Sequence, residues 1–146
     1  MKKIYVNEQW CLGCRLCEYY CAFAGTGERD MARALAGMKI HPRMRIEEKD
    51  GISFAVSCRH CKDALCVKSC ITGALTVTDG MVAIDQDRCV GCCTCVLVCP
   101  FGAVASTAHG VMQKCELCVQ SSAGTPACVR GCPNGAIVFE ERGAAR

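Results

Sequence analysis

Residues 89–100 read Cys89-Val90-Gly91-Cys92-Cys93-Thr94-Cys95-Val96-Leu97-Val98-Cys99-Pro100, a C-x2-C-x2-C-x3-C-P run. No other stretch restricts the fold as tightly. Three thiols at successive two-residue gaps lie on one tight loop that can wrap three corners of a compact metal core. The chain then turns helical, and the step from Cys95 to Cys99 carries the last sulfur about 6 Å along the helix axis. That sulfur leaves the first core behind, so the run makes sense only if a second run faces it. Three more runs exist: Cys11-x2-Cys14-x2-Cys17-x3-Cys21, Cys58-x2-Cys61-x4-Cys66-x3-Cys70 and Cys115-x2-Cys118-x9-Cys128-x3-Cys132-Pro133.

This is the spacing of cubane [4Fe-4S] ligation, in which the fourth cysteine serves the neighbouring cluster. With Cys93 set aside, the other sixteen cysteines form four groups of four, enough for four [4Fe-4S] clusters. Each run would give three thiolates to one cluster and its fourth to the partner run's cluster. Spacing leaves open which runs are partners. Zinc is the rival metal, because zinc ribbons also use CxxC pairs. Zinc sites, however, do not call for three cysteines at successive x2 steps with a fourth one helical turn later. Disulfides call for export, whereas Lys2-Lys3-Ile4-Tyr5-Val6 passes at once into polar Asn7-Glu8-Gln9, without a signal core or twin-arginine start. Val96 to Val104, the longest apolar candidate, is broken by Cys99-Pro100 and falls short of a bilayer span. Seventeen cysteines in 146 residues are therefore expected in a reducing, anaerobic cytoplasm, where thiols seldom pair.

The formal charge of +3 counts every cysteine as neutral. Four clusters that each add about −2 would bring the loaded protein to about −5, so the basic balance is no signal for nucleic acid. With 4 Phe, 3 Tyr and 1 Trp in the chain, the clusters would stand in for much of a hydrophobic core.

Along the chain, a strand is expected over Ile4 to Asn7 and a helix over Leu16 to Ala24, closed by Gly25. Residues 25–46 interrupt the pattern with a helical turn over Asp30 to Ala36 and then His41-Pro42. Arg29, Arg33, Lys39, Arg43 and Arg45 stand there beside Met31, Met38 and Met44. Asp50-Gly51 and Asp79-Gly80 predict hairpins, since Asp-Gly readily supplies the positive φ angles of a tight turn. Their strands are Arg43 to Glu48 with Ile52 to Ser57, and Leu75 to Thr78 with Met81 to Asp85. A weaker third hairpin would join Ala103 to Ser106 and Gly110 to Gln113 through His109-Gly110. The fourth run holds an inserted loop, Val119 to Ala127, and is followed by a strand from Ala136 to Glu140 and a polar tail. Ile71-Thr72-Gly73-Ala74-Leu75, Pro100-Phe101-Gly102-Ala103-Val104 and Pro133-Asn134-Gly135-Ala136-Ile137 repeat one turn after the fourth cysteine. The chain thus reads as a fourfold repeat of cysteine run, short helix and hairpin.

The four runs, with x4 in the second and x9 in the fourth, resemble the four-cluster ferredoxin-type electron-transfer subunits, and the likeness covers nearly the whole chain. Members serve molybdopterin and tungstopterin oxidoreductases, hydrogenases, formate dehydrogenases and CO dehydrogenases. The cytoplasmic CO dehydrogenase-associated type and the small subunit of tungsten aldehyde oxidoreductases are the most similar in style. The resemblance implies that the outer runs pair with each other and the inner runs with each other. It assigns Cys11, Cys14, Cys17 and Cys132 to one cluster, and Cys115, Cys118, Cys128 and Cys21 to its partner. The inner sets would be Cys58, Cys61, Cys66 and Cys99, then Cys89, Cys92, Cys95 and Cys70. It implies an α+β fold of two fused bacterial-ferredoxin-like modules with short helices and β-hairpins. Residues 1–24 plus 107–146 would form the outer module and 52–106 the inner one. Residues 25–51 would be an insertion and hairpin available for docking.

Other residues are read more plainly. Cys93 is a small buried filler or a spare thiol, and His60 and His109 are loop residues. Trp10 shields a cluster or packs at a surface. Arg59, Lys114 and Arg130 either raise cluster potentials or are solvated, and the insertion either docks a partner or covers the outer clusters. No nucleophile–base pair, GxGxxG loop or open metal site is present, so the chain alone should not be an enzyme. The expected role is to relay single electrons between a catalytic oxidoreductase subunit and a second redox protein such as a flavoprotein, hydrogenase or ferredoxin. Nucleic acid and membrane insertion are excluded from the expected contacts. The rivals are a diffusible polyferredoxin and a structural zinc protein.

Overall fold

The computed structural model describes residues 1–120 and 124–142. In chain order it runs β1 (Lys3–Val6), a 3-10 turn at Glu8–Trp10, α1 (Leu16–Ala24), α2 (Met31–Leu35), β2 (Arg45–Lys49) and β3 (Ile52–Val56). Then come α3 (Leu65–Lys68), β4 (Leu75–Thr78), β5 (Met81–Ile84), α4 (Thr94–Val98), β6 (Val104–Ser106), β7 (Met112–Lys114), α5 (Ala127–Arg130) and β8 (Ile137–Glu140). Part of the expected loop Val119 to Ala127 (121–123) and the end of the polar tail (143–146) lie outside the described residues. Among the described residues no helix is long and apolar enough to cross a membrane. The result is a small mixed α/β fold of short helices and two-stranded ladders.

Local chemistry sets most of these boundaries. Asp50 and Gly51 have φ of 53° and 76°, and Asp79 and Gly80 have 51° and 79°, the left-handed pair that turns a two-residue hairpin. Asp30 accepts the Arg33 N–H at 3.2 Å and so caps α2. The third hairpin is wider than the sequence predicts. Thr107 N–H donates to Val111 O at 2.8 Å and Gly110 N–H to Thr107 O at 3.1 Å, so the turn spans 107–111 rather than His109-Gly110. Its second strand therefore shifts onto Met112–Lys114, and all three residues are buried.

The fourfold repeat needs one correction. The last run is followed by a single strand, β8, which returns to pair antiparallel with β1 in the register Ile4↔Phe139 and Val6↔Ile137. The other ladders are hairpins, β2–β3, β4–β5 and β6–β7. The strand leading into the first run thus pairs with the strand leaving the fourth, as β5, leading into the third run, pairs with β4, leaving the second. One bond recurs in both places: Asn7 N–H to Ala136 O and Asp85 N–H to Ala74 O, each 2.8 Å. The helices follow suit, α1 against α5 and α3 against α4. A Cβ at Gly131 would run into the Tyr20 ring, so only glycine lets α1 and α5 come this close.

Two hydrophobic clusters result. One gathers Ile4, Met44, Ile46, Leu117 and Ile137 with Cys17, Cys115 and Cys128. The other gathers Leu75, Val82, Val104 and Met112 with Cys95. Cysteines sit inside both.

Candidate metal centres

All seventeen cysteines are free thiols. The inner runs build two hollows. One is ringed by Cys58, Cys61, Cys66 and Cys99 and walled by Ala64, Val82, Phe101 and Val104. The other is ringed by Cys70, Cys89, Cys92 and Cys95 and walled by Leu75, Ile84 and Met112. In each, three sulfurs come from one run and the fourth from the run whose helix packs beside it. The repeated turn explains how the fourth sulfur is met. Gly73, Gly102 and Gly135 have φ of 63°, 56° and 63°, which folds the chain back so that following amides face the sulfur. Ala103 N–H donates to Cys99 Sγ at 3.4 Å, and Met112 N–H donates to Cys89 Sγ at 3.4 Å.

In the outer runs, Cys11, Cys14 and Cys132 line one hollow with Trp10, Leu12 and Ile137. Burial pushes the adjoining Cys17 thiol up to about 12, and the charges of Glu18, Cys14 and Cys11 add to this. Cys115, Cys118, Cys128 and Cys21 lie deeper. Burial raises Cys128, as do the neighbouring thiolates Cys115, Cys21, Cys118 and Cys17. Burial also pushes Cys115 up to about 12, opposed by the Leu117 N–H and reinforced by Cys21, Cys58 and Cys118. A buried thiolate needs nearby positive charge, and thiolate-bound metal would supply it.

Thiols of different runs lie near enough to influence one another. Cys17 raises Cys128, Cys58 raises Cys115, and Cys95, raised by burial to about 11, is raised further by Cys66. Among the sixteen cysteines of the four runs, Cys14 and Cys92 are exposed.

The donor arrangement tests which metal group fits. Four thiols around each inner hollow, apolar walls and backbone amides that donate to sulfur fit a multi-atom iron–sulfur core.

Several residues depart from the sequence reading. His60 is no ordinary loop residue: it is 1 % exposed, and its Nδ1 accepts the Val82 N–H at 3.2 Å. Burial, with Lys114 and Lys3 nearby, pushes its pKa down to about 4. Lys114 is not solvated, being 1 % exposed, whereas Arg59 and Arg130 are at the surface. Cys93 is exposed rather than a buried filler. It occupies the left-handed position (φ 61°) that Arg15 (φ 60°) holds in the first run. Trp10 is half exposed beside the Cys11 hollow, and Arg59 lies 5.8 Å from the Phe101 ring centroid.

The end of the insertion packs against the outer runs. Arg43 N–H donates to Cys21 Sγ at 3.3 Å, its guanidinium pairs with Glu116 at 2.7 Å, and Met44 is 2 % exposed in the core. Sequence reasoning missed Glu18, a buried carboxylate that accepts the Ile46 N–H at 2.6 Å and ties α1 to β2. Its only trace in the sequence is a lone charge within the apolar segment 16–24.

Comparison with known proteins agrees with this geometry. A model described as a 4Fe-4S dicluster domain matches residues 50–142, which hold the last three runs. An iron-sulfur protein of Rhodospirillum rubrum is 43% identical over 150 residues, covering 92% of this chain and 79% of that protein. The electron transport protein HydN of Escherichia coli (strain K12) is 34% identical over 155 residues, covering 95% and 87%. In the active site complex BamBC of benzoyl coenzyme A reductase, as isolated, one chain superposes with a TM-score of 0.53 at 23% identity. That match covers 97% of this chain and 78% of that one, and is a likeness of fold. The chain belongs to the 4Fe-4S dicluster domain family and is a ferredoxin-like iron–sulfur protein of electron transfer.

Proposed function

We propose that this chain is the electron-transfer subunit of an oxidoreductase complex, relaying single electrons through four [4Fe-4S] clusters in series. The sets are Cys11, Cys14, Cys17 and Cys132; Cys115, Cys118, Cys128 and Cys21; Cys58, Cys61, Cys66 and Cys99; and Cys89, Cys92, Cys95 and Cys70. They sit in two fused ferredoxin-like modules, residues 1–24 plus 107–146 and residues 52–106, with 25–51 between them. The observation that carries the reading is that two hollows are each ringed by four cysteines drawn from two runs. The influence of Cys17 on Cys128, Cys58 on Cys115 and Cys66 on Cys95 supports the order Cys11, Cys115, Cys58 and Cys89 for the sets. When bound, the clusters supply one-electron chemistry at nearly constant geometry.

The chain's own residues do the rest. The thiolates fix the spacing, and Leu75, Val82, Val104 and Met112 keep water out of the inner hollows. Backbone amides donate to Sγ of Cys21, Cys89, Cys99 and Cys115, which favours the more negative, reduced state. Electrons enter and leave at the two ends, where a ligand reaches solvent. Leu12 beside Cys14 and Val90 beside Cys92 are about two-thirds exposed, as contact residues for partners would be. One partner is a catalytic oxidoreductase subunit and the other a second redox protein, in a reducing cytoplasm where seventeen free thiols persist. HydN, an electron transport protein, and the BamBC chain, from an enzyme's active site complex, support that setting.

Iron and sulfide analysis of anaerobically purified protein tests the reading. About sixteen iron atoms per chain are expected, and a count near four, or zinc in their place, would end it. Co-purification with an oxidoreductase at fixed stoichiometry is expected as well, and a persistently free protein would favour the diffusible polyferredoxin.

A further inference from the structure

We propose that Lys114 is a fixed interior cation that raises the reduction potentials of the two middle clusters, those of the Cys58 and Cys115 sets. The inference rests on the series reading above. Lys114 ends β7, and its side chain is 1 % exposed. The ammonium is clamped by two carbonyls: it donates to Val82 O, and to Cys115 O at 3.0 Å. No carboxylate forms an ion pair with it among the described residues, since Glu116, the nearest acid in sequence, is taken by Arg43 at 2.7 Å. A buried charge without a partner is strongly disfavoured, so its retention calls for negative charge on another kind of group.

The thiolates are that group. Val82, whose carbonyl holds the ammonium, lines the hollow ringed by Cys58, Cys61, Cys66 and Cys99. Cys115, whose carbonyl also holds it, is itself one of the Cys115 set. Burial raises the Cys58 and Cys66 thiols, and Lys114 opposes the rise in each. An added electron makes a cluster more negative, so a nearby cation favours the reduced form. In a water-poor interior that effect is little screened.

The test is an EPR-monitored redox titration of the anaerobic holoprotein with Lys114→Gln, Lys114→Met and Lys114→Arg, after iron analysis of each. Signals are assigned to sets with Cys61→Ser and Cys118→Ser. In the Gln and Met variants the reduced-to-oxidised ratio of both middle clusters should fall about tenfold at fixed ambient potential, a midpoint shift of about 59 mV. The end clusters should stay put, and Lys114→Arg should restore the wild-type values. Full iron with unmoved potentials, an equal shift of all four clusters, or a shift confined to an end set would overturn the inference alone. Wild-type iron well short of about sixteen would overturn the series reading and this inference with it. Should neither neutral variant assemble, Lys114→His carries the test: the midpoints of both middle clusters should fall as pH rises and the imidazole loses its charge, while the end clusters do not follow, and the same pH response in all four clusters refutes the proposal.

Discussion

The Cys115 set and the Cys89 set solve the same problem by opposite means. Around Cys115 and Cys128 the chain excludes water, and burial pushes the thiols far up. Around Cys89 it buries Cys95 but leaves Cys92 at the surface and supplies donors. The Thr94 hydroxyl lies 3.4 Å from Cys92 Sγ and the Thr72 hydroxyl 3.8 Å from Cys70 Sγ. Cys92 is held below its ordinary range by Thr94, first through its hydroxyl and then its amide. Cys70 is also lowered, because donors from Leu75, Thr72 and Ala74 together outweigh its burial. Burial protects a cluster and resists added negative charge, whereas donors and solvent welcome that charge but expose the metal. In the proposed series an end set meets a partner and so takes the second route, while a middle set need only pass the electron on.

The largest effect should separate the two sets outright. Cys128→Ser removes a buried ligand from a hydrophobic cluster and should abolish stable folding, whereas Cys92→Ser should keep a folded protein that has lost about four iron atoms. Iron analysis and thermal unfolding check this, and equal damage from both would erase the contrast. Next comes the crossed ligation: Cys99→Ser should damage the cluster of Cys58, Cys61 and Cys66 and spare that of its own run, as read by EPR of the reduced protein.

Packing gives a smaller difference. Gly131→Ala forces α5 off Tyr20 and should cost about 1–3 kcal/mol, lowering the melting temperature through the outer sets first. The smallest effect should come from Thr94→Val, which removes one hydroxyl donor. It should lower the midpoint of the Cys89 set by less than about 59 mV and leave the Cys115 set unmoved. A shift in the Cys115 set would mean that the contrast is not local.

The cysteine runs, α1, the helical turn after Asp30 and both Asp-Gly hairpins were legible in the sequence, because each depends on residues within one or two turns of chain. The third hairpin was legible only roughly, since no Asp-Gly pair dictates its turn. The burial of Lys114 and His60 was not legible. Both lie next to cysteines of the runs in polar-looking segments, and β5 supplies their partner at Val82, 22 residues from His60 and 32 from Lys114. Nor does the sequence distinguish Cys14 and Cys92, which reach solvent, from Cys17 and Cys95 three residues on, which are buried.

By itself, then, the sequence determined the chemistry: which thiols form each run, that each run is a loop running into a helix, and that these runs call for iron and sulfide. The tertiary structure alone decided which helices pack together, which cysteines reach solvent, and that Lys114 is sealed in the interior. The physical reason is that ligand spacing is a short-range property of the backbone. Burial and charge proximity instead arise when β8 comes back to β1 and α1 closes on α5.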